Sequence, residues 1–355
     1  MIELPPRFTP LDAGKGGMSS VLICNDERLQ RPVIVKYLDP DTEQGRLIDE
    51  IQALQAIRSP YVVQIYDVIT SSTGDIRGVV EEYCPGNDLS DWIGQVDVDQ
   101  FVKFGLQLIS GIAEIHDHDL IHRDIKPHNV RIGNLNRLTI IDFGLARAGA
   151  GAKTVSAIGT SGFMAPELFR LNANGAIDFT TAIDIFAFAS SLYLLAAGNL
   201  PRNICQRPPV MNPHGVNFHS LPFPIDIGLA NLLNACLSEN CEDRPSATVL
   251  RSAFRKILVR NKHRALLNIA NDPKYLDANN RRASASLEGL ASVVIEYDGD
   301  YFFIKSVSGD LYVNAGRVGN GYRFPGSCVI AFGRPELGSN REYITFDVSH
   351  PGVVI

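Results

Sequence analysis

Apolar residues change their spacing twice along the chain, and the changes divide it into three stretches. From 8 to 82 they come in short β-branched runs: 8 to 13, Ser20 to Cys24, Pro32 to Leu38, Tyr61 to Ile69 and Gly78 to Glu82. Such runs predict strands. One helical interval breaks them, Thr42 to Arg58, where Leu47, Ile51, Leu54 and Ile57 recur at three- and four-residue steps. From Leu89 the helical period takes over. Phe101, Phe104, Leu108, Ile112 and Ile115 line one face of a helix over 101 to 116, and Thr181 to Ala197 reads as another. The latter is shorter than the ~20 residues a bilayer demands and carries Asp184, so it predicts a buried core helix. Residues 259 to 288 turn polar and read as a linker. After Leu290 short β-rich runs return at roughly ten-residue spacing (Val293 to Ile295, Tyr301 to Ile304, Leu311 to Val313, Val329 to Phe332, Tyr343 to Phe346), the pattern of a small all-β domain over 289 to 355.

Composition adds exclusions. With 355 residues, 45% hydrophobic and 20% charged, the chain has ample core for two domains. A net charge of −6 argues against a nucleic-acid backbone as main partner. The six cysteines form no CxxC pair, which fits reduced thiols in a cytoplasmic protein rather than a zinc site. The first residues lack a basic-then-apolar leader, so no membrane anchor is expected. Arg251, Arg255, Lys256, Arg260, Lys262 and Arg264 form a basic run entering the expected linker, as a solvated helix end or a docking patch.

The chemistry concentrates in Ile121 to Val130, Ile-His-Arg-Asp-Ile-Lys-Pro-His-Asn-Val. Asp124 can accept a hydroxyl proton, Lys126 can face a migrating phosphoryl group, and Asn129 can hold a metal ion. Asp142-Phe143-Gly144 follows thirteen residues after Asn129 and offers a second hard-oxygen ligand. Upstream, Gly14-Lys15-Gly16-Gly17 leads to Val21, and fifteen residues on comes Lys36, a lysine ending an apolar strand. Glycines at a hairpin tip let backbone N–H groups approach phosphate.

This set resembles the eukaryotic-type (Hanks-type) serine/threonine protein kinases over residues 8 to about 258. The resemblance implies an α+β fold with two lobes, a β-rich N-lobe (about 1–84) and a helical C-lobe (85–258), followed by a small β sandwich. It implies ATP and magnesium, with manganese as the alternative ion, held by Asn129 and Asp142. Gly14, Gly16 and Val21 would cover the phosphates; the third glycine of the usual pattern is Ser19 here. Lys36 would align the phosphates, fixed by Glu50 on the helix of 42 to 58. Glu82 and Cys84 would offer backbone groups to adenine. Glu81 would close the back of the adenine pocket, where an apolar or threonine side chain is usual, with no evident partner. Asp124 would act as base, Lys126 with Thr160 would mark the serine/threonine branch, and Arg123 would meet a phosphate on Thr154 or Ser156. Glu167 of Ala165-Pro166-Glu167 would pair with Arg244, and Asp184 would anchor the catalytic loop. Implied partners are protein serines and threonines, including a second copy of the chain for trans-phosphorylation.

Two other classes share parts of the set. A pseudokinase scaffold would bind nucleotide or phosphoproteins without turnover; intact Lys36, Asp124 and Asp142 count against it. Small-molecule phosphotransferases share the Asp-Asn-Asp core but lack a segment ended by Ala-Pro-Glu. The C-terminal stretches Ser306 to Val318 and Pro325 to Gly333 resemble the second half of a forkhead-associated domain, which implies a phosphopeptide partner, with Asn314 at the position that family uses near the peptide.

Overall fold

A computed structural model of the chain describes residues 4–12, 21–37, 44–143, 160–172, 175–269, 272–287 and 289–349. The chain divides into two compact units, Met1–Phe254 and Arg255–Val354. The expected glycine-rich tip at Gly14 and Gly16, and the phosphoacceptors Thr154 and Ser156, lie outside the described residues.

The first unit opens with β1 (Phe8–Asp12), β2 (Val21–Asp26) and β3 (Arg31–Tyr37), then α1 (Gln44–Ala56), β4 (Ile65–Thr70) and β5 (Ile76–Glu82). The strands form one antiparallel sheet in the order β1-β2-β3-β5-β4. Period-two alternation splits the sheet into two faces. Cys24, Val33, Val35, Ile69 and Val80 join Phe8 in a buried cluster on one face. On the other, cross-strand pairing places Val21 opposite Lys36 and Ile23 opposite Ile34, and Ile34 in turn opposite Glu81. Direct partners share a face, so these five side chains stand together.

Helices then dominate. A two-residue strand β6 (Asn87–Asp88) precedes α2 (Val98–His116), which starts with a reciprocal capping box between Asp97 and Gln100. The five apolar positions expected on one face of α2 are all buried. Short strands β7 (Val130–Ile132) and β8 (Leu138–Ile140) complete a small sheet, β6-β7-β8. Helix α3 (Ala182–Ala197) is buried nearly all round, as its composition predicts, and stops at Gly198 with φ 79°. Helices α4 (Ile227–Ala235) and α5 (Ala247–Val259) follow, and the division between units falls inside α5. Among the described residues no helix is long and apolar enough to cross a membrane.

The second unit corrects the expected linker. Residues 259 to 288 hold three strands, β9 (Arg264–Ile269), β10 (Asp272–Leu276) and β11 (Arg282–Leu287). They join β12 (Ala291–Tyr297), β13 (Phe302–Gly309), β14 (Leu311–Val313), β15 (Gly316–Arg317), β16 (Cys328–Phe332) and β17 (Glu342–Ser349). A six-stranded sheet β10-β9-β17-β16-β14-β15 and a three-stranded sheet β11-β12-β13 share one core, in which Leu267, Ile295, Ile304, Ile330 and Phe346 are fully buried. In β11 serines disguise the strand, but its small alternating residues face the core: Ala283 and Ala285 are buried while Ser284 and Ser286 are exposed. Part of the basic run is used inside this unit, with Lys256 3.2 Å and Arg260 3.6 Å from Asp300. Asn314 sits in the two-residue β14–β15 turn with φ 48°, and its Oδ1 accepts from Val329 N at 3.4 Å. Its side chain is tied to the neighbouring strand of its own fold.

Candidate active site

The catalytic-loop residues are placed by one buried carboxylate. Asp184, at the start of α3, is 0% exposed. Its two oxygens accept from the backbone N–H groups of His122 and Arg123, both at 2.8 Å, and His116 Nε2 lies 3.0 Å away. Arg123 takes a positive φ of 69°, and its guanidinium lies over Phe179 at 4.7 Å. His122 is buried, Nε2 donating to Ile141 O at 3.1 Å while Nδ1 accepts from Asp124 N at 3.3 Å. Burial pushes its imidazole pKa down, which favours the neutral ring these two contacts need. The histidine is thus a strut between the catalytic loop and the strand leading to Asp142, and its ring packs on Phe143 at 4.7 Å.

Asp124 follows, 9% exposed and held in a fixed orientation. Its Oδ2 accepts from Lys126 Nζ at 2.8 Å and from Asn129 Nδ2 at 2.9 Å. Lys126 also donates to Thr160 Oγ1 at 3.0 Å, so lysine and threonine flank the carboxylate. Asn129 spends its amide hydrogens on Asp124, the second on the backbone oxygen at 2.8 Å, which leaves its own Oδ1 as a hard-oxygen donor. The bond from Ile141 N to Asn129 O, 2.9 Å, ties the two metal-ligand candidates Asn129 and Asp142 together. An amide oxygen and a carboxylate suit magnesium, which takes few protein ligands and completes its shell with phosphate and water. Among the described residues no group of three or more His, Cys, Asp or Glu side chains could hold a metal on its own.

These groups meet the inner face of the N-terminal sheet across a cleft of about 470 Å³. Val21, Ile23, Ile34 and Val63 supply apolar walls; Lys36, Glu81, Asn129 and Asp142 bring charge and polarity. Glu82, Tyr83, Cys84 and Gly86 form the rim joining the two parts. Gly86 has φ 112°, and a Cβ there would lie 2.2 Å from Ile132 O, so only glycine lets the rim lie against β7. Burial, then Glu82 and Glu81, push the Cys84 thiol up to about 12.

Lys36 Nζ lies 2.7 Å from Asp142 Oδ1 and 3.7 Å from Glu81 Oε1. The expected partner, Glu50, lies on α1, but its side chain is outside the described residues. Glu81 had no evident partner in the sequence; its partner is Lys36. Sequence reasoning also passed over His128 and Arg131, which line the cleft from the other side. Arg131 alternates with buried Val130 and Ile132 along β7, and that period-two signal was available.

Farther off, Arg244 is fully buried and grips Glu167 with two parallel bonds, 2.7 and 2.8 Å, and a third to Ala182 O at 2.9 Å. This clamp fixes the Ala165-Pro166-Glu167 end of the segment that carries Thr160.

Comparison with known proteins finds serine/threonine-protein kinases among the similar chains. The serine/threonine-protein kinase PrkC of Bacillus subtilis is 32% identical over 199 residues, 53% of this chain and 30% of that protein. CBL-interacting serine/threonine-protein kinase 8 of Arabidopsis thaliana is 29% identical over 249 residues, 67% of this chain and 54% of the relative. Serine/threonine-protein kinase PknB of Mycobacterium leprae is 31% identical over 202 residues, 53% of this chain and 32% of the relative. The chain thus spans between 30% and 54% of these relatives' lengths. Residues 12–254 match the protein kinase domain family, and by that match the chain belongs to it.

Proposed function

We propose that the protein is a serine/threonine protein kinase that transfers the γ-phosphoryl group of ATP to hydroxyl groups of proteins. The observation that carries this reading is the linked set in which Lys126 Nζ lies 2.8 Å from Asp124 Oδ2 and 3.0 Å from Thr160 Oγ1, while Asn129 Nδ2 lies 2.9 Å from the same Asp124 oxygen. The substrate hydroxyl oxygen attacks the γ-phosphorus while the bond to the β–γ bridging oxygen breaks and ADP leaves. Asp124, its orientation locked by two donors, takes the hydroxyl proton. Such a positioned base contributes roughly 10²–10⁴-fold. Lys126, already paired with Asp124, offers its charge to the migrating phosphoryl group, and Thr160 holds it in place. Lys36 meets the nucleotide phosphates from the N-terminal sheet.

Asn129 and Asp142 would hold magnesium, with manganese as the alternative, which when bound would supply charge neutralisation for the nucleotide phosphates. Substrate hydroxyls on a second copy of the chain are natural targets, with Thr154 and Ser156 as acceptors and Arg123 as the receptor of the added charge.

The test is transfer of label from γ-labelled ATP, wild type beside D124A, with sites mapped by mass spectrometry. Label on serine or threonine in the wild type alone supports the reading; equal label in both proteins refutes it. A T154A/S156A variant with undiminished activity would overturn the activation-segment part alone.

A further inference from the structure

Glu81 is a buried carboxylate in the wall of the cleft: 4% of the residue is exposed. A buried carboxylate needs a counter-charge, and among the described residues Lys36 is positioned to supply it, 3.7 Å away. Strand register makes this meeting obligatory. Ile34 pairs with Glu81 and Lys36 with Val79 across β3 and β5. Lys36 and Glu81 are therefore diagonal neighbours on one face, a separation that a long side chain spans. Both stand on central strands of a five-stranded sheet, which leaves neither backbone free to drift.

On its other side Lys36 is held by Asp142, at 2.7 Å, and the Asp142 side chain is 52% exposed. One ammonium is thus shared by a fixed buried carboxylate behind it and a more accessible carboxylate at the cleft. Lys36 already bonds Asp142, and Glu81 draws the ammonium the other way; without Glu81 that contact would be unopposed from the back wall, and a nucleotide phosphate would have to break a stronger pair to reach the ammonium.

We propose that Glu81 is the positioning residue of Lys36: from the back wall of the cleft it holds the ammonium ready for the nucleotide phosphates. The inference rests on reading the cleft as a nucleotide site.

The experiment is a double-mutant cycle on ADP affinity, by calorimetry with a chelator present so that no metal contributes. Side chains in contact couple measurably. E81Q keeps the shape and removes the charge, and we expect it to weaken ADP binding about fivefold when Lys36 is present, a typical effect for coupled neighbours. In a K36M background the same change is expected to alter ADP binding less than about twofold, because its effect passes through Lys36. Equal losses in both backgrounds, or unchanged binding by E81Q, would overturn the proposal.

If K36M does not fold with Glu81 left unpaired, E81D and E81Q decide between them. E81D keeps the charge and should bind ADP more tightly than E81Q; equal or weaker binding overturns the proposal. Thermal melts add a reading that needs no nucleotide. K36M should lower the midpoint by at least about 5 °C, and K36M/E81M should recover most of it, since stranding one buried charge costs more than removing both. A wild-type protein that binds no ADP would overturn the nucleotide reading and this inference with it. Wild-type affinity with a flat cycle would overturn this inference alone.

Discussion

Replacing Asp184 with alanine should unfold the catalytic loop before it affects any chemistry directly. The carboxylate is fully buried and accepts two backbone N–H groups, at 2.8 Å each, from His122 and Arg123. His122 is itself 1% exposed, so water does not readily replace the lost acceptor. A stranded buried donor costs about 1–3 kcal/mol, so the pair gives about 2–6 kcal/mol, with about 1 kcal/mol more for the contact to His116. A domain's whole stability is about 5–15 kcal/mol, so D184A should be severely destabilised. D184N has the same shape but only one accepting oxygen, and it should lose about 1–3 kcal/mol. The assay is urea unfolding followed by a signal from the kinase unit, with the midpoint converted through the wild-type slope. H116A serves as control and should cost no more than about 1.5 kcal/mol, because it removes one contact and strands no backbone donor. A D184A loss below about 1 kcal/mol, or a D184N loss equal to that of D184A, would refute the assignment of Asp184 as the acceptor that holds the His122 and Arg123 N–H groups.

Other outcomes follow from the same contacts. D124N should lower kcat by about 10²–10⁴ with a urea midpoint near wild type, since the amide fills the same space; activity within tenfold of wild type would remove Asp124 from the mechanism. R244M strands the Glu167 carboxylate and should cost about 3–5 kcal/mol in urea unfolding, whereas an R244M/E167L pair should recover much of it; no recovery would mean the clamp matters through packing alone. Hydrogen bonds from Arg7, at 2.9 and 2.6 Å, hold the Asp26 carboxylate well below the usual range, to about 2. Its folded-state pKa is depressed, so this stabilisation is complete above the unfolded value and is lost as pH falls from about 4 towards 2. Urea midpoints measured from pH 6 down to 2 should therefore fall less steeply in D26N than in wild type, and parallel curves would contradict the pairing. Finally, Cys84 lines the cleft, yet its thiol is pushed up to about 12, so alkylation by iodoacetamide at pH 8 should be slow there compared with Cys241; mass-spectrometric mapping that finds Cys84 modified first would count against a desolvated rim.

What the sequence showed and what it hid follow from how far along the chain each constraint reaches. Asp124, Lys126 and Asn129 lie within six residues, and the loop geometry that joins them is local, so residue types at fixed spacing were enough. Asp142 was legible from the Asp-Phe-Gly triplet thirteen residues after Asn129. The buried helix α3 was legible from composition alone. Strands β9 to β11 were harder. The alternation Arg-Ala-Ser-Ala-Ser-Leu over 282 to 287 has the right period, but alanine and serine are poor strand formers and bury little apolar surface. Their place is decided by partners: Ala283 lies opposite Ile295 and Ala285 opposite Val293, so large residues on β12 fill the space that small ones leave. No property of 282 to 287 taken alone contains that information.

The pairing of Glu81 with Lys36 was hidden for a different reason. Helical spacing is readable from sequence and points to Glu50 on the next helix, whose side chain lies outside the described residues. Glu81 is 45 residues from Lys36, and only the register of β3 against β5 brings them within reach. A one-residue slip of that register would send Glu81 to the opposite face, towards the apolar cluster of Val33, Val35 and Val80 and away from Lys36. The buried pair therefore acts twice. It sets the charge at the back of the cleft, and it penalises the slipped pairing, since that would separate Glu81 from Lys36. Both effects require the same contact, so a variant that removes both charges together should retain the fold and lose some of the discrimination between registers.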